Sequence, residues 1–196
     1  EKITLLSYAE VEEVKGFVGN FQVRIRQKAR GVDEKDCTGC GICIEKCPRK
    51  VVDDVFEAGM GYRKAIYRPF PQAVPKFPVI DRANCTFYER GTCKACEKFC
   101  PTNAIRFDQE DTFLDVEVGN IILATGWDLF DARRLSQYGY GRLANVFTSI
   151  EFERLSNASG PTCGGWAGIR SSRPGGAIGC RRRRSTRSGA PRSCPT

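Results

Sequence analysis

Eight of the 11 cysteines in this 196-residue chain fall between residues 33 and 107, and their spacing decides what chemistry the sequence can do. The first group reads Cys37-Thr-Gly-Cys40-Gly-Ile-Cys43-Ile-Glu-Lys-Cys47-Pro48, which is C-x2-C-x2-C-x3-C-P. Three thiolates carried round one tight loop can bind three corners of a four-iron, four-sulfur cluster, and in this bacterial pattern the fourth cysteine serves a second cluster. Gly39 and Gly41 permit the dihedrals and the close backbone approach that such a loop needs. The second group is Cys85-x7-Cys93-x2-Cys96-x3-Cys100-Pro101, with the same closing intervals and proline. Its first interval is longer, and Gly91 inside it allows a loop that bulges outward and returns.

Crossed ligation then assigns Cys37, Cys40, Cys43 and Cys100 to one [4Fe-4S] cluster, and Cys85, Cys93, Cys96 and Cys47 to another. Two clusters tied together in this way make an electron relay. The competing readings are a pair of zinc sites, which also use paired cysteines, a purely structural cluster, and surplus thiols in a reducing compartment. With no His in the chain, neither Ser-His-Asp nor Cys-His catalysis is available, so metal binding falls to thiolates and carboxylates. No residue set for acid–base or nucleophilic catalysis stands out.

The net charge of +8 would ordinarily suggest nucleic acid or an anionic surface as partner. Its location argues otherwise. Residues 1–160 hold 23 basic and 23 acidic residues, whereas residues 161–196 hold eight Arg and no acid. A nucleic-acid module built on Arg181–Arg184 is the alternative from another function class, but only Trp166 offers an aromatic platform nearby. No nucleic-acid partner is expected. The longest aliphatic run, Ile121–Ala124, is far shorter than the roughly 20 residues that span a bilayer. Thiolates must stay reduced before clusters assemble, so the expected compartment is the cytoplasm. The chain starts at Glu1 in a strand-like run, which suggests a piece of something longer.

The elements that must position the cysteines can be read in outline. Phe21, Val23 and Ile25 alternate as on one face of a strand, after a turn marked by Gly16, Gly19 and Asn20. Two or three antiparallel strands are expected in the first 30 residues. Pro69, Pro71, Pro75 and Pro78 forbid regular helix or central strand between the cysteine groups. Ala104–Phe107, Thr112–Val116 and Val118–Ala124 read as strands, with Ile121–Leu123 buried. Thr148 and Glu151 fit a capping box ahead of Phe152 and Leu155. From Gly160 the composition turns to Gly, Pro, Ser and Arg, which predicts disorder. The lack of acids there fits a shifted reading frame, which would make Cys163, Cys180 and Cys194 incidental thiols.

The run Glu57 to Pro75, then Val79-Ile-Asp81, closely resembles the ferredoxin insert of the heterodisulfide reductase A-subunit family, as do Gly16–Phe21 and Val118–Gly126. The resemblance implies an iron-sulfur flavoprotein in which a ferredoxin module interrupts an FAD domain of thioredoxin-reductase type. The expected fold is therefore α+β. Residues 1–32 and 109–160 would be parts of the FAD-binding domain, 33–108 the inserted two-[4Fe-4S] ferredoxin domain, and 161–196 a disordered basic tail. Electrons would pass between flavin and partner subunits of a heterodisulfide-reductase-type complex, or a ferredoxin or hydrogenase partner. A free-standing ferredoxin-like carrier is the alternative. The resemblance also implies that Ala124, Thr125 and Gly126 approach FAD in the intact protein, where a glycine lets backbone come close to the cofactor. Gly139-Tyr-Gly141-Arg-Leu-Ala144 matches a dinucleotide fingerprint by letter, but it follows a polar stretch rather than a buried strand.

Overall fold

The computed structural model describes residues 2–162. The basic tail, Cys163, Cys180 and Cys194 lie outside the described residues. Two compact units divide the chain, one formed by Glu1–Arg49 and Lys64–Trp127, the other by Lys50–Arg63 and the chain from Asp128 onward.

In the first unit, β1 (Ala9–Phe17) and β2 (Asn20–Gln27) form an antiparallel hairpin, and β7 (Thr112–Val118) pairs with the far side of β2. The alternation read from Phe21, Val23 and Ile25 is borne out: these side chains are buried or half-buried, while Gln22 and Arg24 between them are exposed. Gly16 is required at the hairpin's end, because a Cβ there would lie 2.1 Å from the Asn20 carbonyl oxygen. From β2 the chain leads into the cysteine-bearing part, with α1 (Ile42–Lys46), β5 (Ile66–Tyr67), β6 (Val79–Ile80), α2 (Thr86–Arg90) and α3 (Ala95–Lys98). The core there is small. Val32, Ile66, Ile80, Ala104 and Ile105 pack with Cys43 and Cys96, so the cysteines themselves supply much of what is buried.

Two expected strands differ from the structure. Ala104–Phe107 contributes only a single bridge, Ile105 to Val32, framed by Asp33 N–H to Ala104 O (2.7 Å) and Arg106 N–H to Gly31 O (3.0 Å). A turn at Phe107 and Asp108 stops the pairing from lengthening. The expected strand Val118–Ala124 ends at Val118. Beyond it, Ile122 and Leu123 are 92% and 82% exposed rather than buried. An apolar run becomes a buried strand only when neighbouring strands cover it, and none among the described residues pairs with 121–124.

The second unit holds most of the ribbon of β3 (Lys50–Asp53) and β4 (Gly61–Lys64), together with α4 (Ser149–Ser156). The capping box forms as expected: Thr148 accepts from Glu151 N–H, and Glu151 accepts from Thr148 N–H at 2.7 Å. Gly139 follows a single 3-10 turn at Ser136–Tyr138 rather than a strand, which removes the dinucleotide fingerprint. The Tyr140 hydroxyl donates to Glu151 at 2.7 Å, and burial, with the Glu151 carboxylate beside it, pushes the phenol up to about 12. Since this pKa exceeds the unfolded value of about 10, its contribution to stability is complete below pH 10 and is lost as pH rises through 12. The phenolate absorbance step near pH 12 should disappear in Tyr140→Phe; its persistence would place that titration on another tyrosine. Among the described residues no helix is long and apolar enough to cross a membrane.

Candidate metal centres

Eight cysteines converge on two small cavities in the first unit. The first is lined by Cys37, Cys40, Cys43 and Cys100, with Val32, Pro78 and Ile105 completing its apolar wall. The second is lined by Cys47, Cys85, Cys93 and Cys96, with Ala65, Ile66 and Ile80. Each cavity thus takes three cysteines from one motif and the fourth from the other.

Local structure explains how the spacing achieves this. Cys37 N–H donates to Asp33 O at 3.1 Å, which starts the first loop. Gly41, at φ +82°, then turns the chain into α1, so that Cys43 is buried on the helix and Cys47 terminates it one turn later, facing away. The loop also passes close to a cation: a Cβ at Gly41 would stand 2.8 Å from Arg68 Nη2, and the guanidinium would have to swing away. In the second motif the longer interval is filled by α2, begun at Cys85 and closed by Gly91 at φ +71°. The expected outward bulge is therefore a helical turn. It is pinned by Tyr88, whose hydroxyl donates to Phe107 O at 2.7 Å, and by Phe87 stacked on Phe107 at 4.0 Å. Cys96 is buried on α3, and Cys100 leaves it to join the first cavity.

Backbone N–H groups point at the sulfurs. Gly39 donates to Cys37 Sγ at 3.4 Å and Ala104 to Cys100 Sγ at 3.3 Å. Burial pushes the Cys43 thiol up to about 11, with Cys37 and Cys40 adding like-charge repulsion. Burial likewise pushes Cys96 up to about 12, against the opposing Glu97 N–H and with repulsion from Cys85 and Cys47. At Cys100 burial acts upward but is outweighed by N–H groups of Ala104, Thr102 and Asn103 and by the Thr102 hydroxyl, so its thiol lies below the ordinary value. Several thiolates in one buried place repel one another until a cationic centre compensates them, which is the electrostatic setting of a metal site.

The donor arrangement suits a cluster better than a single ion. Zinc needs four sulfurs about 2.3 Å from one point. Among the described residues no three Cys, Asp or Glu side chains are close enough to hold one ion. Four cysteines lining one cavity are the donor set that a cubane core takes. Ala124, Thr125 and Gly126 line neither cavity; they lie in an exposed, irregular run after β7, with Gly126 at φ +75°.

The pattern of the 4Fe-4S binding domain (Fer4) matches residues 31–53, which contain the whole first motif. Over 164 residues, 84% of this chain, the sequence is 48% identical to the A-subunit of the H(2):CoB-CoM heterodisulfide,ferredoxin reductase of Methanothermobacter marburgensis, covering 24% of that protein. It is 53% identical over 83% of the chain to the iron-sulfur A-subunit numbered 2 of the CoB--CoM heterodisulfide reductase of Methanopyrus kandleri, covering 24% of it. The chain belongs to the heterodisulfide reductase A-subunit family. A more divergent relative, the A-subunit of the ferredoxin:CoB-CoM heterodisulfide reductase of Methanosarcina mazei, is 39% identical over 83% of the chain and is covered over 20% of its length. The chain spans about a quarter or less of the length of these relatives.

For this member of the heterodisulfide reductase family, sequence reasoning missed two cations beside the cysteines. Lys64 Nζ donates to Cys47 O at 2.6 Å, and Arg68 lies against Gly41. Both come from the segment between the motifs, where no spacing rule points to them. The available signal was Gly41 itself, since a glycine in a ligand loop marks a close neighbour as well as a turn.

Proposed function

We propose that the chain holds two [4Fe-4S] clusters and relays electrons through them, one at Cys37, Cys40, Cys43 and Cys100, the other at Cys47, Cys85, Cys93 and Cys96. The observation that carries this reading is the pair of cavities, each lined by four cysteines in a three-plus-one crossing of the motifs. When bound, such clusters supply one-electron storage. The chain's own residues do the rest. The eight thiolates bind, Gly39 and Ala104 N–H groups stabilise negative charge on sulfur, and Val32, Ile66, Ile80 and Ile105 limit water between the two sites. Two short helices tie the sites together: α1 carries Cys43 and ends at Cys47, and α3 carries Cys96 and is followed by Cys100.

In the longer protein the relay runs between a flavin and partner subunits of a heterodisulfide-reductase-type complex. Residues 1–32 and 109–160 belong, on this reading, to the FAD-binding part that the module interrupts. The antiparallel pairing of β2 with β7, on either side of the cysteine region, supports that assignment. Ala124, Thr125 and Gly126 are assigned the approach to FAD, where their exposed backbone would meet the cofactor.

Anaerobically purified chain should contain about eight iron and about eight acid-labile sulfide and give a reducible cluster signal by electron paramagnetic resonance. Stoichiometric zinc without sulfide would refute the redox reading.

A further inference from the structure

Both cavities have cations at their edges. The Nη2 atom of Arg68 lies 2.8 Å from the position a Gly41 Cβ would take, and Gly41 lines the first cavity between Cys40 and Cys43. Among the described residues no carboxylate pairs with this guanidinium. The second cavity has two cations at its edge: Arg49, with Glu89 Oε2 3.9 Å from its guanidinium, and Lys64, whose Nζ donates to Cys47 O at 2.6 Å. Two further features favour negative charge in the first cavity. Gly39 and Ala104 donate backbone N–H groups to Cys37 and Cys100 sulfur, and Cys40 is exposed to water.

Reduction adds one electron, and so one negative charge, to a cluster and its thiolates. Net charge, hydrogen bonds to sulfur and solvent exposure set cluster potentials. The N–H groups on Cys37 and Cys100, against that of Glu97 on Cys96, and the exposed Cys40 favour the first cluster, and Arg68 adds a charge that no carboxylate among the described residues offsets. We propose that Arg68 is a positioning residue that raises the potential of the Cys37, Cys40, Cys43 and Cys100 cluster above that of its neighbour, so that a single electron in the pair rests there. The inference builds on the two-cluster reading. Arg68 touches no sulfur ligand; its charge acts across the Gly41 backbone, which has room for it because the loop carries glycine. The relay therefore has a direction: an electron arriving at the Cys47, Cys85, Cys93 and Cys96 cluster moves downhill to the first one, and a second electron is needed before the low-potential cluster stays reduced.

Redox titration of the cluster-loaded full chain, followed by electron paramagnetic resonance, tests this. Two one-electron steps are expected. In Arg68→Gln the higher step should move toward the lower by about tenfold in the partition of the electron, which is about 59 mV for a one-electron couple, while the lower step stays in place. Arg68→Lys, which keeps the charge, should restore the parent titration. Iron and sulfide content should be unchanged in both. Movement of the lower step alone, equal movement of both, or no movement overturns the proposal. If Arg68→Gln loses iron, Arg68→Met repeats the titration with the aliphatic stem preserved, and iron loss in both neutral variants makes the residue structural and overturns the proposal as well. Absence of sulfide from the parent chain refutes instead the two-cluster reading on which the inference stands.

Discussion

Cys100→Ala should empty the cavity it shares with Cys37, Cys40 and Cys43 and leave loaded the one lined by Cys93 and Cys96, its neighbours in sequence. Iron should fall from about eight to about four per chain. The surviving signal should match that of Cys43→Ala and differ from that of Cys93→Ala. The expectation follows from the crossing of motifs: Cys100 leaves α3 with its sulfur held by Ala104 N–H at 3.3 Å, on the side opposite to Cys96. Cys47→Ala should give the mirror result, with the second cluster lost. A surviving signal shared by Cys100→Ala and Cys93→Ala would mean that each motif serves its own cluster, and the crossed assignment of Cys47 and Cys100 would fail.

Arg154→Met should destabilise the second unit by about 3–5 kcal/mol, the usual cost of leaving a buried charge without its partner. Arg154 donates to Glu57 at 2.9 Å, with side chains only 6% and 13% exposed, and its guanidinium lies 4.2 Å over the Phe56 ring. The pair is not fully satisfied: Arg154 Nε and Glu57 Oε2 are buried with no hydrogen-bond partner. Replacing both residues by methionine should therefore recover most of the loss, because it removes two desolvated charges together. Amide hydrogen exchange in α4 reads the effect locally. An unchanged exchange rate in Arg154→Met would show that the ion pair is solvated in solution.

The difference between what could and could not be read from the residues has a physical origin. The cysteine loops were legible because their geometry is local: a glycine, a fixed interval and a proline act within a dozen residues. The same is true of the Thr148 to Glu151 cap and of the Phe21, Val23, Ile25 face. Ile121–Leu123 misled because an apolar run reports a capacity for burial, while burial itself depends on neighbouring strands. The grouping of Lys50–Arg63 with the chain after Asp128 was invisible for another reason. It rests on partners such as Glu57 and Arg154, 97 positions apart, whose types are those of ordinary surface residues. Arg68 belongs to the same class, since a positive charge in a proline-rich segment carries no local mark of what it faces.

The register of β2 against β7 pairs Gln27 with Thr112, so the chain departs from the sheet and returns to it at one rung. Ala29 N–H to Asp111 and Gly31 N–H to Gln109, both 2.8 Å, draw the two departing strands together just outside that rung. An excursion whose ends meet can be lengthened, exchanged or removed by a genetic event at a single hairpin, with no strand on either side having to change its partner. The three-stranded sheet is thus a socket for the electron-carrying segment, and exchange of that segment would also have to replace the Glu57–Arg154 pair by which Lys50–Arg63 joins the chain after Asp128.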